Sequence, residues 1–237
     1  MRKTTKRTYA NRRRKRRNGR ARGQRYWDRR SMLVGLGAGI LLVLGIVLGL
    51  YRCSASREKP GNLDVDASQP DINVQLLDVN EYSRPGIESD AITGIVIHYT
   101  ANPGSTAQEN RDYFNGLKDS HETSVSSHFV VGLEGEIVQC VPTWEIAYAS
   151  NGRNHDTISI ECCHPDKTGK FTDETYESLV RLTAFLCNKY GLTQESVIRH
   201  YDVTGKICPK YFVEHEDAWE IFRADVGSAL ERSADEK

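Results

Sequence analysis

The run Ile92-Thr93-Gly94-Ile95-Val96-Ile97-His98-Tyr99-Thr100 decides how this chain folds. Its β-branched residues are stiff at χ1 and suit a pleated sheet, and the run is too short for a good helix, so it is expected as a buried strand. An imidazole, His98, stands near its C-terminal end. Downstream, Ser105 to Leu117 has a helical stripe of Tyr113, Phe114 and Leu117, with Ser105 or Thr106 as N-cap. Ser126 to Val131 and Glu136 to Val141 are expected strands, joined by the hairpin signal Gly132-Leu133-Glu134-Gly135. Thr157 to Cys162 is another β-branched run. In Asp173 to Tyr190, apolar residues recur at helical spacing up to Gly191, and Val197-Ile198 and a last helix over Glu214 to Leu230 follow. This mixed order predicts an α/β fold, a central mixed sheet flanked by helices, over residues 91–232.

The segments before this body differ in composition. The 237-residue chain has a formal net charge of +0, but residues 1–30 hold fifteen Lys and Arg against one acid, Asp28. Such a head cannot bury a core and is expected to be disordered. From Met32 to Leu50 every residue is apolar or glycine, close to the roughly 20 needed to span a bilayer as a helix. A transmembrane helix over 31–51 is expected, and the basic flank places the head on the cytoplasmic side and the body outside. The head is then explained without a nucleic-acid partner. Arg29-Arg30-Ser31 loosely resembles an export signal, but the apolar run exceeds the usual signal core of about 7–15 residues, so a retained anchor is expected. Gly35/Gly39 and Gly45/Gly49 have the spacing that lets helices pack closely, but glycine is common in spans, and the oligomeric state is left open. Residues 52–90, punctuated by Pro60-Gly61, Pro70 and Pro85-Gly86, read as an extracytoplasmic tether whose latter part, Val74 to Tyr82, leans towards the body. The six cysteines lack the density of a disulfide framework, and no disulfide is required.

The chemistry concentrates in Arg199-His200-Tyr201-Asp202-Val203-Thr204-Gly205-Lys206-Ile207-Cys208-Pro209. His200 and Cys208 flank a turn marked by Asp202 and Gly205, which allows both side chains to meet one ion. With His98 they make three protein ligands, the count of a catalytic zinc site with one open position. Spacing alone leaves the structural alternative open, because lone His and Cys residues usually pack, and His121, His128, His155, His164 and His215 compete as ligands.

Four ordered blocks add to this reading: Ile95-Val96-Ile97-His98-Tyr99-Thr100, Val125-Ser126-Ser127-His128-Phe129-Val130-Val131, Thr157-Ile158-Ser159-Ile160-Glu161 and His200 to Pro209. Together they resemble the zinc-dependent N-acetylmuramoyl-L-alanine amidases of the phage-lysozyme and peptidoglycan-recognition type, over about residues 90–225. The resemblance implies Zn2+ held by His98, His200 and Cys208, Lys206 stabilising the tetrahedral intermediate, and Glu161 as the catalytic carboxylate. The tyrosine that some members use instead corresponds to Ser127, and Ala147-Tyr148-Ala149 stands where many carry a His-Ala pair. The implied partner is peptidoglycan and the implied reaction is hydrolysis of the amide between N-acetylmuramic acid and L-alanine. The alternatives are a peptidoglycan-binding module without activity and a zinc peptidase acting elsewhere in the stem peptide. His128 is expected to pack or to support the ligands rather than bind metal, and Asn154 and His155 stand as cleft-lining candidates without an assigned role.

Overall fold

The computed structural model describes residues 63–235, all within the second of the chain's two units, Lys59–Lys237. The basic head and the expected span over 31–51 lie outside the described residues. No helix among the described residues is long and apolar enough to cross a membrane.

The expected buried strand is present as β2 (Gly94–Tyr99), and β1 (Asn73–Val74), β3 (Phe129–Val131), β4 (Ile137–Gln139), β5 (Thr157–Cys162) and β6 (Val197–Arg199) complete one sheet. The order is β1-β4-β3-β5-β2-β6, and only the β3–β4 hairpin is antiparallel. Because side chains alternate across a strand, Ile95 and Ile97 of β2 and Ile158 and Ile160 of β5 face one layer of helices. That layer is α2 (Asp173–Tyr190), through Leu179, Leu182 and Leu186, and α5 (Glu216–Asp235), through Trp219, Phe222 and Val226. On the opposite face Val130 and Val138 pack with Ala107 and Phe114 of α1 (Ala107–Ser120). The helices stop and start where their caps dictate. Thr106 and Glu109 form a reciprocal capping box on α1, and Gly191 ends α2 in the left-handed region.

Several boundaries differ from the sequence reading. The strand expected from Ser126 begins at Phe129, because Ser126 exchanges hydrogen bonds with the Tyr148 backbone and the His128 amide donates to Ser159 Oγ. The expected β4 stops before Cys140, since the Cys140 and Val141 amides both point at the His128 carbonyl. The last helix begins at Glu216, after a separate turn of helix, α4 (Lys210–Glu214). Residues 63–90, expected within the tether, pack on the body: Val65, Ala67 and Leu77 are buried in its cores, and β1 pairs with β4. Arg84 holds Glu145 through two 2.8 Å contacts, and Ser233 Oγ accepts from the Ala67 amide. The contact expected from Val74 to Tyr82 is present, whereas the isolated apolar residues Val65 and Ala67 give no periodic signal and their packing left no mark in the pattern.

Candidate metal centre and catalytic cleft

Parallel pairing brings the first two groups together. His98 of β2 and Glu161 of β5 are in register, so their side chains leave the sheet side by side, on the face opposite Ile97 and Ile160. β6 pairs with the other edge of β2, and its last residue, Arg199, hands the chain to α3 (His200–Thr204). His200 therefore arises at the same C-terminal end of the parallel strands, the end at which such sheets place ligands. The turn expected here is a short helix, closed by Gly205 at φ +77°, a conformation that a Cβ disfavours. The chain then doubles back, and the Tyr201 amide donates to the Cys208 carbonyl at 2.9 Å.

Arg199 fixes this hairpin of helices. Its guanidinium donates to both Asp202 oxygens, to the Phe212 carbonyl and to Glu216, and it lies 5.2 Å over the Trp219 ring. One buried cation thus ties β6, α3, α4 and α5 around the segment carrying His200, Lys206 and Cys208.

The donor atoms of His98, His200 and Cys208 lie within 4.8 Å of one another, all on buried residues. Cys208 Sγ is 3.8 Å from His98 Nδ1, and the two imidazole centroids are 4.7 Å apart. His200 Nδ1 is buried and has no hydrogen-bond partner. That orphaned nitrogen, with a thiol and a second imidazole, fits a metal ion that takes three protein ligands of N and S type. Glu161 joins them: Oε1 is 4.0 Å from His98 Nδ1, and Oε2 is buried without a partner.

Burial sets the protonation of the cluster's side chains. It lowers His98 well below the ordinary histidine range, reinforced by the charges of His200 and Lys206, and lowers His200 likewise. Both imidazoles are therefore neutral, the form that binds metal. Burial pushes the Cys208 thiol up to about 12 and the Glu161 carboxyl up to about 8. A cation bound by these residues would favour thiolate and carboxylate.

Lys206 is exposed at the rim, and its charge acts on His98, His200 and Glu161. His128 is enclosed: its Nδ1 accepts the Ser159 amide at 3.0 Å and its Nε2 faces the Glu145 carbonyl at 2.9 Å. Both nitrogens are used, burial lowers it to about 4, and it takes no part in the metal cluster. Ser127 is likewise spent on the backbone, donating to the Ser159 carbonyl. His155 is exposed and paired loosely with Asp156. Asn154 organises a loop, its Oδ1 accepting the amides of Ala149 and Ser150. That loop contains residues the sequence reading missed: Ser150 Oγ lies 3.2 Å from His98 Nε2, and Asn151 Oδ1 lies 2.9 Å from His200 Nε2. Ser150-Asn151-Gly152 is legible as a turn, but nothing local shows that it folds beneath two distant histidines. The five cysteines among the described residues are buried and free.

The family model for N-acetylmuramoyl-L-alanine amidase matches residues 88–211. N-acetylmuramoyl-L-alanine amidase CwlL of Bacillus licheniformis is 38% identical over 165 residues, covering 64% of this chain and 45% of the relative. N-acetylmuramoyl-L-alanine amidase BlyA of Bacillus subtilis (strain 168) is 31% identical over 173 residues, covering 64% and 46%. The chain spans less than half the length of these curated relatives. Among solved structures, the catalytic domain of XlyA is similar at a TM-score of 0.57 and 27% identity, covering 67% of this chain and 100% of that one. PlyL, at 0.59 and 24% identity with 68% and 99% covered, shares the fold. A match across just over half of its residues, spanning β2 to β6 and the cluster at their end, makes this chain a member of the N-acetylmuramoyl-L-alanine amidase family.

Proposed function

We propose that the chain is a zinc hydrolase that cleaves the amide between the lactyl group of N-acetylmuramic acid and the L-alanine of the peptidoglycan stem. The observation that carries this reading is the buried His98–His200–Cys208 cluster, with an unsatisfied Glu161 carboxyl oxygen beside it. When bound there, zinc supplies Lewis acidity towards the scissile carbonyl and the attacking water. Glu161, ionised beside that charge, accepts a proton from water as the oxygen adds to the carbonyl carbon. It returns the proton to the alanine nitrogen as the C–N bond breaks, leaving a lactyl carboxylate and a free amine. Lys206, at the rim, stabilises the negative charge that develops on the carbonyl oxygen, a contribution of about 3 kcal/mol for a well-placed donor. The relatives carry the amidase name, which supports this bond over a peptide link within the stem.

The same proposal places the enzyme outside a bacterial membrane on a single N-terminal helix. Its support is the uncharged run Met32–Leu50 behind a strongly basic head. The direct test of the metal is Cys208→Ala in the full chain. Loss of both stoichiometric zinc and peptide release is expected, and full activity in that variant overturns the reading.

A further inference from the structure

Two histidines that would meet a zinc ion through Nδ1 have their other nitrogens on one loop. His98 Nε2 faces Ser150 Oγ and His200 Nε2 faces Asn151 Oδ1, the neighbouring residue. We infer that Ser150 and Asn151 are positioning residues that lock both imidazoles in the Nε2–H tautomer and aim both Nδ1 lone pairs at the metal. This role rests on the zinc reading proposed above and on the chemistry of the partners. An amide oxygen only accepts, so His200 must donate from Nε2, and the proton-free nitrogen is Nδ1, the buried atom without a protein partner. The serine hydroxyl, on a fully buried residue, can both donate and accept; in the metal-binding tautomer it accepts from His98 Nε2, which leaves His98 Nδ1 facing Cys208 Sγ.

The loop is built to hold these two residues in place. Asn154 Oδ1 receives the Ala149 and Ser150 amides, the Arg153 amide donates to the Ser150 carbonyl, and the Asn154 amide donates to the Asn151 carbonyl. Thr157 Oγ1 at the start of β5 donates to the Arg153 carbonyl and ties the loop to the sheet. Asn151 itself sits at φ +52°, in the left-handed region that asparagine tolerates better than most residues. The backbone there turns sharply enough that residues 150 and 151 reach two different histidines.

The positive φ also supplies a clean experiment. Asn151→Gly keeps the backbone comfortable while removing the acceptor, and Asn151→Asp keeps an acceptor oxygen at nearly the same place. Zinc affinity of the full chain is measured by competition with a chromophoric chelator, together with the thermal midpoint of the metal-free protein. The expected result is a 10–100-fold weaker zinc affinity in Asn151→Gly, within the range for lost outer partners of metal-bound histidines. Asn151→Asp is expected to bind within a few-fold of wild type, and Ser150→Ala to weaken binding independently, with metal-free midpoints near that of wild type. Unchanged affinity in both Asn151→Gly and Ser150→Ala overturns the inference while leaving the metal reading intact. Equal losses in Asn151→Gly and Asn151→Asp also overturn it, because backbone placement rather than the acceptor then sets affinity. A wild-type chain that holds no zinc defeats the metal reading itself.

Discussion

Glu161 is the residue on which the proposed chemistry turns, and it is also a buried acid whose burial costs stability. In the unfolded chain its carboxyl ionises near the ordinary value, whereas burial holds it protonated up to about 8 in the metal-free fold. Between roughly pH 4.5 and 8 the folded state therefore binds more protons, and stability falls as pH rises, by an amount on the order of a few kcal/mol. His98 and His200 act in the opposite sense, since their lowered values cost stability as pH falls below about 6.5. Comparing Glu161→Gln with wild type isolates the carboxyl: the variant should lack the loss between pH 4.5 and 8 in urea unfolding of metal-free protein. In the zinc-loaded enzyme the same substitution should lower kcat by about 100- to 10,000-fold with zinc content unchanged. Near-wild-type kcat would assign the proton transfers to another group. At this scale the sequence was most informative. His98, Glu161, His200 and Cys208 could all be named in advance, because ordered blocks carried them. Ser150 and Asn151 could not, because the roles proposed for them rest on contacts 52 and 49 residues away in the chain.

Among the elements, α2 and β5 were read from the pattern with the observed ends, since each has unbroken periodicity and a clear stop. The strand at Ser126 is shorter because side chains take over backbone hydrogen bonds that a ladder would have used, and the one at Cys140 because two successive amides share the His128 carbonyl. The hairpin between β3 and β4 shows how an element enforces register on its neighbours. Gly135 is at φ +82°, and a Cβ there would lie 2.9 Å from the Glu174 carbonyl oxygen at the start of α2. Strain and collision act together, so Gly135→Ala should destabilise the fold by about 2 kcal/mol or more. Equilibrium unfolding checks this, and a loss of only a few tenths would mean that the hairpin moves freely against α2. No change in zinc affinity is expected, because the hairpin does not touch the cluster.

For the whole molecule, the domain begins well before the strand that first revealed it. Leu77 is 1% exposed and belongs to the core on the α1 face. If residues 63–90 are integral to the fold, Leu77→Ala should cost about 2–5 kcal/mol in denaturant unfolding, whereas a tether residue would cost almost nothing. The sequence points to contact with the body over Val74 to Tyr82, which includes Leu77, but not at Val65 and Ala67, where burial comes from single residues rather than from a periodic stripe. The polarised charge, by contrast, was plain in the sequence, and it motivates the proposed placement of the cleft outside the membrane. The central claim is the bond that is cut. Its most direct test is mass analysis of the products when the purified full chain is incubated with peptidoglycan, with chelator and then with zinc restored. Free stem peptides with an L-alanine amino terminus, absent after chelation and recovered with zinc, are the predicted result. Stems that stay attached to glycan in every sample, despite folded and zinc-loaded protein, would contradict the account and favour a peptidoglycan-binding module.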